Sequence, residues 1–138
     1  MGMDMLDPFI GFGLDPVKCI YDQAGGGIVC FSGIDEIDDQ TAFSGVGSCK
    51  NNPACEGVSY RGPIPRQEWQ MNLARKGDYC KGTGGNHLTL SPPTAWNGRG
   101  HFCMHGGGPD SSEGCIVTKP GLRLWLIRLF PVSTSWTV

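Results

Sequence analysis

VKCIYDQAGGGIVCFS, residues 17–32, decides how this chain can fold. VKCIY (17–21) and IVCFS (28–32) are short β-branched and aromatic runs, the composition of strands. DQAGGG between them is a turn-rich loop that no helix would carry through. A hairpin with Tyr21 opposite Ile28 puts Cys19 directly across from Cys30. The stretch therefore predicts two paired strands closed by a disulfide.

The rest of the sequence continues in this manner. GPIP (62–65) is a rigid lead-in, because each proline fixes φ and removes a donor. It runs into RQEWQMNLA (66–74), where Trp69, Met71 and Leu73 alternate with polar residues as in a half-buried strand. NHLTLSP (86–92) alternates too, with Leu88 and Leu90 on one face and His87, Thr89 and Ser91 on the other. SPPTAWNGRG (91–100) is a turn-rich connector. GHFCMH (100–105) reads as a strand with Phe102 and Met104 on one face and His101, Cys103 and His105 on the other. The polar segment 31–58 reads as a long loop. LRLWLIRLF (122–130) reads as a buried helix or strand near the end of the domain. The 22 glycines and 10 prolines among 138 residues favour short strands and many turns. No repeat or linker appears, so the chain is one β-rich domain with at most one or two short helices.

Charge excludes some partners. Net charge is −2 with 17% charged residues, so nothing marks a nucleic-acid surface. No apolar run is long enough to span a membrane. MGMDMLDPFIGFGLDPVK lacks the basic start and unbroken apolar stretch of a secretion signal.

Seven cysteines are many for a cytosolic enzyme and point to an oxidising compartment. An odd count leaves at least one thiol. With Cys115 set aside, the expected pairs are Cys19–Cys30, Cys49–Cys55 across the small loop CKNNPAC, and, by elimination, Cys80–Cys103. Reduced, buried cysteines are the alternative.

Cys115 is set aside because of HGGGPDSSEGCI (105–116). A histidine ends a strand, a glycine loop follows, and Gly114 allows a tight turn before the cysteine. A thiol becomes a strong nucleophile as thiolate, and a neighbouring histidine is the usual way to form it. Backbone N–H groups in the turn can point at one spot and serve as an oxyanion hole. These residues suit a cysteine acyltransferase or hydrolase. Two other readings stay open. A papain-like endopeptidase also uses Cys and His, but with the cysteine first, whereas His87, His101 and His105 all precede Cys115. A metal-binding module would use His101, Cys103, His105 and Cys115, although alternate positions on one strand are not a usual zinc spacing.

The same segment resembles the active-site signature of L,D-transpeptidases: histidine, glycine, a loop, then Ser-x-Gly-Cys and an aliphatic residue. GPIPRQEW (62–69), LTLSP (88–92), GRGHFCMHGG (98–107) and SSEGCIV (111–117) are similar to a branch of small L,D-transpeptidase-like proteins that includes type VI secretion effectors. The resemblance runs from about Cys19 to about Leu129. It implies a mainly β, sandwich-like catalytic domain over 17–138, with 1–16 as an N-terminal extension. It implies Cys115 as nucleophile, His105 as base and the Gly106 carbonyl as the group that orients the imidazole. Gly114 and Cys115 would supply oxyanion-hole N–H groups, and Ser112 matches the motif serine. Arg99 and His101 would bind substrate, Arg99 by its carboxylate. The implied substrate is the peptide stem of peptidoglycan, cut through a thioester without metal or cofactor. The implied setting is export from one bacterium into the periplasm of another by a secretion apparatus, as a monomer with an immunity protein as partner. Departures are Glu113 where most such enzymes have a second histidine, a short His-to-Cys spacing, and Gln67 in place of a glycine after GPIP.

Overall fold

A computed structural model describes residues 16–74, 80, 87–108, 112–129 and the backbone of 136–137. The expected N-terminal extension, apart from Pro16, lies outside the described residues.

β1 (Val17–Tyr21) and β2 (Ile28–Ser32) form the expected antiparallel hairpin, with Cys19 opposite Cys30 and Tyr21 opposite Ile28. The turn depends on Gly25, Gly26 and Gly27, all at positive φ, where a side chain would be strained. The Asp22 side chain accepts from Ala24 N at 2.9 Å and tightens the loop.

The segment 31–58 is more ordered than its sequence implies. β3 (Asp35–Asp39) pairs antiparallel with β2 and forms one sheet edge. β4 (Phe43–Ser44) forms the opposite edge, followed by 3-10 turns at Gly47–Cys49 and Pro53–Cys55. DEIDD lacks strand composition because an edge strand shows most of its side chains to water, and charge there discourages pairing with other molecules.

β5 (Gln70–Leu73), β6 (Leu88–Ser91), β7 (Cys103–His105), β8 (Ile116–Val117) and β9 (Trp136–Thr137) complete one hydrogen-bonded series, in the order β3-β2-β1-β9-β5-β6-β7-β8-β4. The strand expected from Gly100 begins only at Cys103, because His101 sits at φ 62°, outside strand geometry. Met71, Leu88, Leu90, Met104 and Ile116 are fully buried in the core, with Trp69 packed edge-on to Phe102.

Residues 122–129 of the apolar run belong to helix α1 (Pro120–Leu129), whose Leu122 and Leu126 lie one turn apart and join the core, while Phe130 lies outside the described residues. Pro120 opens it, where a missing N–H costs nothing. α1 packs against β3. Among the described residues the domain is thus mainly β with a single α-helix, and no described helix is long and apolar enough to cross a membrane.

Candidate active site

β7 and β8 are parallel neighbours, with Met104 beside Ile116 and His105 beside Val117. Met104 and Ile116 are fully buried and point into the core. Side chains alternate along a strand, so Cys103 and His105 point to the opposite face. Cys115, one residue before Ile116, reaches the same face. Strand pairing therefore sets Cys115 beside the start of β7 and His105 at its end, on neighbouring parallel strands linked through the glycine-rich segment. Cys115 precedes a strand; it does not open a helix.

All three expected disulfides are present: Cys19–Cys30, Cys49–Cys55 and Cys80–Cys103. Cys115 is the free cysteine. The metal-module reading fails here. Cys103 is committed to a bridge and His101 lies off the strand, and no metal-binding cluster occurs among the described residues.

The His105 tautomer follows from its partner. Nδ1–H donates to the Gly106 carbonyl at 2.7 Å, and a carbonyl can only accept. Nε2 is left with a lone pair for a proton. Burial lowers the His105 pKa, the Gly106 bond raises it, and His87 and Arg123 lower it further. The His87 ring lies 6.0 Å from that of His105. A Cβ at Gly106 would meet the tip of the Arg123 guanidinium at 2.5 Å, so a side chain there would displace that arginine.

Burial raises the Cys115 pKa. The Cys103 backbone N–H, donated to Sγ at 3.3 Å, lowers it, and Glu113 raises it again. Both shifts favour the uncharged forms, thiol at Cys115 and imidazole at His105.

Ser112 and Ser44, both fully buried, hold the turn before Cys115. Ser112 Oγ accepts from Gly45 N at 2.9 Å and Gly114 N at 3.1 Å, and donates to Cys115 O at 2.6 Å. Ser44 Oγ donates to Gly114 O at 2.8 Å and accepts from Ile64 N at 2.7 Å. Ser112 thus positions the turn. The Gly114 N–H, expected in an oxyanion hole, is already donated to Ser112. Gly114 sits at φ 128°, and a Cβ there would strike the Phe102 ring and the Arg99 guanidinium.

Arg99 departs from expectation. It is 7% exposed and directs its terminal nitrogens at four backbone carbonyls. Nη1 donates to Glu56 O at 2.8 Å and Pro63 O at 2.6 Å; Nη2 donates to Gly62 O at 3.0 Å and Glu113 O at 3.2 Å. This guanidinium ties the 56–63 loop to the turn before Cys115, so any carboxylate that approached it would have to compete with four carbonyls already in place.

Cys115 opens on a cavity of about 400 Å³, which Tyr60, Arg99, His101, Phe102 and Glu113 also line. His101, expected to bind substrate, lines the same cavity as Cys115. Tyr60 and His101 both hold positive φ, 66° and 62°. Such strain in non-glycine residues gathers at functional sites.

Ser44, Glu56 and Tyr60 escaped sequence reasoning. A serine in FSG or a glutamate after a cysteine carries no local signal, and each acquires its role only through contacts distant in the chain.

A search against protein-family models matches residues 38–127 to the Tlde1 domain. The match covers more than half of the chain, and the chain belongs to this family of type VI secretion effector domains. No curated protein and no solved structure matches it.

Proposed function

We propose that this domain is a peptidoglycan-modifying cysteine enzyme that cuts tetrapeptide stems through a thioester. The observation that supports the reading best is the parallel β7–β8 pairing, which sets a free thiol that opens on a cavity at the head of one strand and a Gly106-oriented imidazole at the end of its neighbour.

The residues divide the work as follows. His105 Nε2 takes the Cys115 proton as Sγ attacks the carbonyl of the third stem residue. The Cys115 N–H is the candidate donor to the developing oxyanion. The tetrahedral adduct collapses, the C–N bond to the terminal D-alanine breaks, and His105 returns its proton to the departing amine. Water, deprotonated by His105, then releases a tripeptide with a new carboxylate, the carboxypeptidase outcome. A D-amino acid or a second stem in place of water gives exchange or cross-linking, the transpeptidase outcome. Ser112, Ser44 and Arg99 position the turn, and His101 and Tyr60 contact substrate from the cavity wall. No step calls on a metal or cofactor.

The disulfides suit an oxidising periplasm, and the family suits delivery into a target cell by a secretion apparatus. A producer of such an enzyme needs an immunity protein, and the Cys115 cavity is the surface it would cover.

Digestion of purified muropeptides, with and without added D-amino acid, tests the proposal by mass analysis. Tripeptide or exchanged stems are expected, and both should vanish in Cys115→Ala and nearly vanish in His105→Ala. Unchanged tetrapeptides with wild-type protein would overturn it. Cleavage between the second and third stem residues would reassign the protein as an endopeptidase.

A further inference from the structure

Tyr60, Arg99, His101, Glu113 and Cys115 are the ionisable side chains on the wall of the Cys115 cavity. The charges in and around it balance: the Arg99 and Arg66 guanidiniums stand against the Glu56 and Glu113 carboxylates, with Arg66 paired to Glu56 at 3.3 Å. Access distinguishes them. Arg99 is buried with its terminal nitrogens on four carbonyls, and neither Arg66 nor Glu56 lines the cavity. Glu113 is exposed, and its carboxylate makes no hydrogen bond or ion pair among the described residues.

The backbone beneath this carboxylate is pinned. Arg99 Nη2 bridges Glu113 O at 3.2 Å and Gly62 O at 3.0 Å, so the turn before Cys115 and the loop carrying Tyr60 are neighbours. Tyr60 is exposed and lines the cavity that Glu113 shares. A carboxylate and an aromatic ring on one cavity wall suit a cation. The Glu113 charge also reaches the nucleophile, where it opposes ionisation of the Cys115 thiol. An unpaired carboxylate near a cysteine that must ionise slows the enzyme unless the substrate neutralises it.

We propose that Glu113 is a specificity residue that receives a positively charged amine on the side chain of the third stem residue. The proposal rests on the peptidoglycan reading above, in which Sγ attacks the carbonyl of that same residue. With the ammonium in place the two charges offset each other. The carboxylate then no longer opposes ionisation of Cys115, and the substrate helps to form the thiolate that attacks it. A stem whose amine is free is a good substrate. A stem whose amine is acylated, as in a cross-link, is a poor one.

The test compares three forms of one disaccharide tetrapeptide whose only free amine is on its third residue: unmodified, dimethylated at that amine, and acetylated there. The two modifications are of similar size, but dimethylation keeps the charge and acetylation removes it. Assays run at pH 8, where free imidazole is neutral and a primary amine is charged. Acetylation should lower kcat/KM about fivefold or more, the fold-change of an exposed ion pair backed by an aromatic ring, and dimethylation should change it less than about twofold. Glu113→Gln should cut the unmodified and acetylated stems within about twofold of each other. Its urea midpoint should match wild type, while alkylation of Cys115 at pH 7 becomes faster. Equal cleavage of unmodified and acetylated stems by wild type would overturn the proposal and leave the peptidoglycan reading standing. Dimethylated stems cut as poorly as acetylated ones would overturn it too, as would a Glu113→Gln variant that keeps the wild-type preference or alkylation rate. Failure to cut any of the three would overturn both readings together.

Discussion

The backbone N–H of Cys103 points at the sulfur of Cys115 across 3.3 Å. The donor belongs to a residue whose own sulfur is locked to Cys80. The bond favours a thiolate, but burial and Glu113 oppose it and prevail, so the Cys115 thiol titrates above its ordinary value. The pH dependence of alkylation follows. Only the thiolate reacts with iodoacetamide, so the rate should climb about tenfold per pH unit through neutrality and still be rising near pH 9. His105→Ala should leave that slope intact, because the imidazole is already neutral at pH 7. A plateau below pH 7, abolished by His105→Ala, would instead reveal a resting thiolate–imidazolium pair.

Thiol titration of denatured, unreduced protein should find one reactive cysteine, Cys115. Opening the β1–β2 bridge in the double variant Cys19→Ala, Cys30→Ala should cost about 2–4 kcal/mol, read by urea unfolding. Seven free thiols after air exposure, with unchanged stability, would remove the disulfide scheme.

Arg99→Lys separates positioning from substrate reading. A lysine ammonium cannot match a planar fork directed at four carbonyls. Stability should drop by about 3 kcal/mol, with turnover falling alongside because the Glu113 carbonyl loses its tie. A raised KM at unchanged stability and kcat would return Arg99 to the substrate-binding role its sequence position suggested.

Ser44→Ala examines a residue with no motif. Its hydroxyl bridges Ile64 N to Gly114 O, and its removal leaves both groups buried and unpaired. About 2 kcal/mol of stability should go, with a fall in kcat larger than any change in KM. A variant with wild-type kcat would show that the Ser112 bonds alone hold the turn.

Much of this was legible beforehand, and for physical reasons. The β1–β2 register and its disulfide follow from two strands of equal length around a glycine turn. The shared face of Cys103 and His105 follows from alternation along a short strand. What was hidden lies in long-range contacts. Ile37 is the only apolar residue of DEIDD, so β3 is specified by β2 and by α1 above it rather than by its own composition. Arg99 looked like a charge reader because the carbonyls of Glu56, Gly62 and Pro63 come from a loop whose path no local pattern reveals.

Asp39 gives the fold an acid-sensitive joint. Its carboxylate is 5% exposed and ties the end of β3 to the start of α1. Oδ1 accepts from Thr41 N at 2.9 Å and Thr41 Oγ1 at 2.6 Å, and Oδ2 accepts from Lys119 N at 2.8 Å. Burial alone would raise its pKa, but these donors and the Lys119 charge outweigh burial and hold it below the usual carboxylate range. The unfolded chain therefore binds this proton more readily than the folded one. The Asp39 contribution is complete above the unfolded value of about 3.9 and disappears as pH falls through the lower folded value. Asp39→Asn should lower stability at pH 7, because the amide cannot accept from all three donors with charge. The gap between variant and wild type, measured by urea unfolding, should narrow from pH 5 to pH 2. A gap that stays constant over that range would mean that the ionised form of Asp39 contributes nothing and that shape alone holds the joint.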